Sequence, residues 1–108
     1  MSGQQLKGHL ETLVMAILEA GPAHGYAIID SLRMASGGVF DLPEGTVYPA
    51  LHRLEASRLV KSSQEVVDGR QRRVYRLSPA GRRSLVKGRA SWREFSVAVT
   101  RILDVSPT

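Results

Sequence analysis

Arg70-Gln71-Arg72-Arg73 follows directly on Asp68-Gly69. A guanidinium is permanently charged and presents a rigid fork of donors that matches phosphate oxygens in pairs. Set just past a two-residue turn, these side chains project from a tip and suit phosphate or minor-groove contact. The same run also reads as a strand edge guarded from aggregation by charge. A second set, Thr46, Tyr48, Pro49, His52 and Arg53, offers hydroxyls, an imidazole and a guanidinium at helical spacing. Thr46, Pro49 and Arg53 share one outward face, and Tyr48 and His52 form an adjacent i, i+4 pair. Such groups address base edges and phosphates, although taken alone they also fit the polar face of any surface helix.

Catalytic chemistry finds less to use. There is no cysteine, so disulfides and thiolate metal sites are excluded. No Gly-x-Ser-x-Gly nucleophile motif, phosphate loop or dinucleotide fingerprint occurs. His9, His24 and His52 fall on three different predicted helices without metal-ligand spacing. The expectation is a protein that is not an enzyme and needs no cofactor or metal.

Charge points to the kind of partner. The net charge is +5, and nine of the fifteen basic residues lie between Arg70 and Arg93 with no acid among them. The first thirty residues hold Lys7 against Glu11, Glu19 and Asp30. A basic C-terminal half is the footprint of a polyanionic partner or a solvated helix surface. Met1 to Gln5 lacks the basic and apolar stretches of a secretory signal, and no apolar run is long enough to span a bilayer. A cytoplasmic location without a membrane partner is expected.

The elements that must position these residues follow from periodicity. Leu6, Leu10, Leu13, Val14, Ile17 and Leu18 recur as one face of a helix that Gly21-Pro22 stops. A second helix starts near Ala23 or His24 and runs to about Ser36, with Tyr26, Ile29 and Leu32 inward. On that phase Tyr26 reads as core in preference to a contact with the DNA backbone, and His24 is read as neither a cap nor a phosphate contact. The third helix lies within Pro43 to Ser57, with Val47, Ala50, Leu51 and Leu54 as its apolar face. Its start is open. Pro43 suits a first helical position, which leaves Pro49 in the interior, whereas Thr46 as N-cap puts Pro49 in the first turn.

A hairpin follows, with strands Val60 to Val67 and around Val74 to Leu77 joined at Asp68-Gly69. Ser78-Pro79 then reads as N-cap and first residue of a last helix reaching about Leu103. Leu85, Trp92 and Val99 are spaced by sevens, and Phe95 and Ile102 continue a second heptad position. Gly88 weakens this seam. A terminal helix with so apolar a seam must bury it, and a second copy of the chain is the natural cover.

The fold class expected is mainly α with a small β-hairpin: a winged helix-turn-helix over residues 1–78, and a long C-terminal dimerisation helix with a short tail over 79–108, as one structural domain. In that fold the third helix enters a major groove while the hairpin reaches flanking backbone.

Three blocks of sequence carry a family resemblance. His24-Gly25-Tyr26, the run Gly45 to Glu55 beginning Gly-Thr-Val-Tyr-Pro, and the run Asp68 to Gly81 beginning Asp-Gly-Arg-Gln-Arg-Arg resemble the signature blocks of PadR-like transcriptional regulators. The chain is similar to the compact members with a single C-terminal helix. Val47 stands where leucine is common, and the wing is shorter and less glycine-rich than in some members. The resemblance implies a homodimer that binds a pseudo-palindromic double-stranded DNA operator, usually as a repressor. Its motifs place Thr46, Tyr48 and Pro49 at the DNA-facing end of the recognition helix and Arg70, Gln71 and Arg72 on the wing. Compact members that respond to drugs bind flat aromatic molecules between tryptophans, so Trp92 marks either a small aromatic effector's pocket or simple interface packing with Phe95, Leu85, Val99 and Ile102. The alternative to operator binding is a winged helix used for protein contacts.

Overall fold

The computed structural model describes residues 9–104. Leu6, expected on the first helix, lies outside the described residues. The elements in chain order are helix α1 (Leu10–Glu19), strand β1 (Ala23–His24), α2 (Gly25–Ala35), α3 (Glu44–Ala56), β2 (Val60–Val67), β3 (Arg70–Leu77) and α4 (Pro79–Leu103). The three strands form one antiparallel sheet in the order β1-β3-β2. This is a winged helix carrying a C-terminal helix about 37 Å long at 1.5 Å per residue.

One core joins the helices to the sheet. Leu10, Val14, Met15 and Leu18 of α1 meet Ile28 and Leu32 of α2, Val47, Ala50, Leu51 and Leu54 of α3, and Val60, Tyr75 and Leu85. The spacings along α1 and α3 are helical, so each buries one stripe. The hairpin turn follows from its sequence. Asp68 and Gly69 both have positive φ, 52° and 77°, the requirement of a type I′ turn whose twist matches its strands. Val67 pairs with Arg70 across the turn, and pairing in register continues to Val60 and Leu77.

Helix ends are closed by local chemistry. Ser78 caps α4, its Oγ accepting from the Gly81 N–H at 3.0 Å and donating to the Arg58 carbonyl at 2.8 Å. The end of α3 is a Schellman motif. The Leu59 N–H bonds the Leu54 carbonyl at 2.9 Å, and the Arg58 N–H bonds the Glu55 carbonyl at 3.0 Å. The motif puts Arg58 at φ 62°, where a Cβ is unfavourable. Arg58→Gly is therefore expected to raise stability by about 0.5–1 kcal/mol, read as a higher urea midpoint at unchanged m value.

Three expectations are corrected. The inward phase of α2 runs through Gly25, Ile28 and Leu32, and Tyr26 is 57% exposed. The reason is Gly25: a Cβ there would lie 2.2 Å from the Tyr48 hydroxyl. The Tyr48 ring occupies that place and fixes the rotation of α2. His24 does cap α2, its Nδ1 accepting from the Ala27 N–H at 3.3 Å. With Ala23 it also makes a two-residue strand on β3, too short to leave an alternating pattern in the sequence. Leu85 is fully buried in its own subunit's core. It anchors α4 to the domain and offers no surface to a second copy.

The rest of the α4 seam is open. Trp92 and Phe95 are 48% and 54% exposed, Ile102 is 74% exposed, and Val99 is half-buried. Trp92 and Phe95 cluster with His9 just before α1, the His9 and Trp92 rings meeting edge-on at 5.0 Å. Gly88 lets α4 lie close on α1, since a Cβ there would sit 2.8 Å from the Thr12 side chain. Arg89 makes a two-pronged ion pair with Glu19, at 2.7 and 3.1 Å, which holds the Glu19 carboxyl below its ordinary pKa.

Candidate nucleic-acid interface

The two sets of candidate residues come together at one corner of the molecule. Helix α3 starts at Glu44, with Pro43 extended and its carbonyl accepting from the N–H groups of Thr46 and Val47. Pro43 thus lies just outside the helix and Thr46 is no cap. Pro49 sits inside, so the first-turn alternative for it is excluded. With Val47, Ala50, Leu51 and Leu54 buried, Gly45, Pro49, His52 and Arg53 are exposed, and Thr46 and Tyr48 are half-buried on opposite flanks.

The flanks have different neighbours. On one side Arg53 faces α1, its Nε 3.6 Å from a Glu11 carboxylate oxygen. An exposed pair at that distance is worth little, so the guanidinium remains available to a stronger anion. On the other side Tyr48 packs on Gly25 and faces the wing. Burial, helped by Glu44, raises its phenol pKa.

The wing residues divide by their distance from the turn. Arg70 and Gln71 are exposed beside the turn. Arg72 leans back over the Tyr26 ring, 5.9 Å from its centroid, within cation–π range. Arg73 donates to Ser62 Oγ at 3.0 Å, and Ser62 donates to Glu55 at 2.6 Å. That relay ties the wing to the end of α3. Arg76 pairs with Glu65 across the strands. The four residues expected at a free tip are therefore two free donors and two braced ones.

Between these elements lies an open cleft of about 210 Å³ lined by His24, Gly25, Tyr26, Tyr48, Gln71, Arg72 and Arg73. Glu44 is a site residue that sequence reasoning missed, and Tyr26 is one that it weighed as a DNA-backbone contact but placed in the core. Glu44, beside the Tyr26 hydroxyl, raises the pKa of that phenol. The signal was present in the His24-Gly25-Tyr26 block, but helical periodicity assigned Tyr26 to the wrong face. Two phenols, two guanidiniums and the amide of Gln71 around a concave surface can hold an anion of extended shape. No catalytic pairing of base and nucleophile occurs among them.

The sequence profile of the transcriptional regulator PadR-like family matches residues 14–87, which include α2, α3 and the whole wing. The chain belongs to the PadR-like family. Its relatives are regulators of transcription rather than enzymes. A transcriptional regulator of Mycobacterium tuberculosis is 58% identical over 52 residues, 48% of this chain and 49% of that one. The chain thus spans about half the length of this curated relative. A PadR-like transcription factor of Bacteroides fragilis, solved by X-ray crystallography, is 35% identical with a TM-score of 0.74, over 92% of this chain and 94% of that one. A PadR-like transcriptional regulator of Bacillus cereus superposes with a TM-score of 0.84 at 26% identity, over 96% and 100% of the two chains.

Within this PadR-like chain, no described helix is long and apolar enough to cross a membrane. The aromatic group of His9, Trp92 and Phe95 lies on the α1–α4 side, apart from the cleft of Tyr26 and Arg72.

Proposed function

We propose that the protein is a repressor that binds a pseudo-palindromic DNA operator as a homodimer in the cytoplasm. Residues 1–78 form the DNA-binding region and residues 79–108 the dimerisation helix and tail. The observation that supports this most directly is the shared concave surface, where Tyr48 of α3 and Gln71, Arg72 and Arg73 of β3 line one cleft with Tyr26. A groove-entering helix and a backbone-reaching wing need that proximity. The exposed face is polar and cationic, which favours a nucleic acid over a protein partner for this corner.

In this mechanism Thr46, Tyr48, Pro49, His52 and Arg53 enter the major groove, with Arg53 exchanging Glu11 for a phosphate. Arg70 and Gln71 meet backbone at the wing, and Arg72 is held toward it by Tyr26. Arg73 acts at one remove, bracing the wing through Ser62. In the dimer, Trp92, Phe95, Val99 and Ile102 meet their counterparts, while Leu85 holds each α4 to its own domain. The two α3 helices then lie about one DNA turn, roughly 34 Å, apart. A flat aromatic effector fits beside Trp92 and Phe95, where half-exposed rings already pack against His9, Trp92 edge-on. Its binding would release the operator by altering the spacing of the two halves.

Reading and clamping separate by salt. Each phosphate neutralised by the protein gives a slope of about −0.9 in log K against log salt. Arg70→Ala and Arg72→Ala are expected to weaken binding to operator and scrambled duplexes alike, and to flatten the slope by about 0.9 for each phosphate left unneutralised. Tyr48→Phe keeps the ring on Gly25 and removes only the hydroxyl. Like Thr46→Ala, it should cost about 1–3 kcal/mol on the operator and little on scrambled DNA. Fluorescence anisotropy at several salt concentrations measures both. A reversed pattern would show that the wing reads and the helix clamps.

A further inference from the structure

Glu44 is the first residue of α3 and is exposed. Side chains on a helix lean toward its N-terminus, so that of the first residue projects ahead of the helix. The Glu44 carboxylate lies beside the Tyr26 hydroxyl and within electrostatic reach of the Tyr48 hydroxyl. Both phenols line the cleft shared with Arg72 and Arg73 of the wing. Glu11, Glu19, Asp30 and Glu65 each pair with an arginine, whereas Glu44 has no ion-pair partner among the described residues. An uncompensated negative charge therefore leads the recognition helix, in the corner where the cationic wing gathers. The helix dipole stabilises an acid at this position in the free protein. On a duplex the same carboxylate repels the phosphates, and the major-groove groups that attract it are the exocyclic amino groups of the bases.

We infer that Glu44 selects one C·G pair in each operator half-site, its carboxylate accepting a hydrogen bond from the cytosine N4 amino group in the major groove. This rests on the operator-binding function proposed for α3 and adds to it the base that the first residue reads. Cytosine presents only a donor to the major groove, while adenine sets its N6 donor beside the N7 acceptor, which repels a carboxylate. A carboxylate has two oxygens with about four acceptor sites, so the Tyr26 hydroxyl can hold it in place and leave capacity for a base. The charge also lowers affinity for duplexes that lack the cytosine, because no bond then offsets the repulsion. Glu44 thus separates operator from other DNA by penalty as well as by contact.

The test uses the full chain and duplexes enriched by it from a random pool. At each C·G pair in turn, cytosine is replaced by N4-methylcytosine, which keeps the pairing hydrogen and replaces the one that faces the major groove. At one pair per half-site the wild-type protein is expected to lose about five-fold or more in affinity. Glu44→Ala should be indifferent to the methyl at that pair and bind scrambled duplexes more tightly than wild type. Glu44→Gln keeps an acceptor without the charge, so it should also bind scrambled duplexes more tightly but still respond to the methyl. A role confined to helix stability would lower the urea midpoint of Glu44→Ala and leave its response to the methyl as in wild type. That response retained at every pair, or no C·G pair at which wild type responds, overturns the inference alone. So does a wild-type response found only with N6-methyladenine at A·T pairs. Failure to enrich any duplex overturns operator binding, and the cytosine reader with it.

Discussion

Phe95→Asp is expected to leave the subunit folded and to abolish the dimer. Phe95 is 54% exposed and lies outside the buried core, so its own domain does not depend on it. Across a two-fold interface the substitution acts twice. Withdrawing one large apolar side chain costs about 1.5–3 kcal/mol, so two copies cost at least about 3–6 kcal/mol before any charge is buried. That corresponds to a rise in dimer Kd of roughly two to four orders of magnitude. Sedimentation equilibrium should give a monomer at micromolar concentration, with an unchanged far-ultraviolet circular dichroism spectrum. Operator affinity should fall with it, because each half-site then binds alone without the gain from linking two sites. A dimer that persists in Phe95→Asp would place the interface on another surface, and a wild-type monomer would remove the two-fold operator model.

The second large effect is on stability. Gly81→Ala should destabilise the fold by about 3 kcal/mol or more, since its Cβ would lie 2.1 Å from the Leu59 carbonyl oxygen and 2.5 Å from a Leu77 methyl. The obstacle is backbone, and Leu59 is fixed from both sides. Its N–H closes the end of α3 on the Leu54 carbonyl, and its own carbonyl accepts from the Ser78 N–H at 3.0 Å. Moving α4 away would also pull Gly81 off the Ser78 cap. Gly88→Ala is the informative contrast. Its Cβ would approach Thr12 to 2.8 Å, but the obstacle there is a short side chain. Replacing glycine in a helix interior gains about 1 kcal/mol in propensity, so the net change should be small. Urea denaturation of the two variants measures both. A Gly81→Ala protein as stable as Gly88→Ala would mean that the start of α4 can shift at no cost.

Much of this architecture was legible in the residues because it rests on local rules. The Asp68-Gly69 turn needs two left-handed residues in succession, and aspartate followed by glycine supplies them. Ser78-Pro79 starts a helix by a hydroxyl acceptor and a fixed φ. The apolar stripes of α1 and α3 fix which side faces inward, and the spacing of Trp92, Phe95, Val99 and Ile102 marks a face that the subunit leaves uncovered. The grouping of the recognition and wing residues into one region also followed, since helix order and hairpin position allow few arrangements.

Tertiary contacts decided the rest. Tyr26 faces outward because the Tyr48 ring needs the bare backbone of Gly25, a contact between residues twenty-three positions apart. Leu85 belongs to the core because α4 crosses α1 at its first turns and leaves it only later, so one heptad seam serves two environments. The start of α3 depended on the extended backbone of Pro43, and β1 exists only because β3 offers it an edge. In each case the deciding interaction lies beyond the reach of periodicity, which ranks residues by face but does not say which neighbour that face will meet.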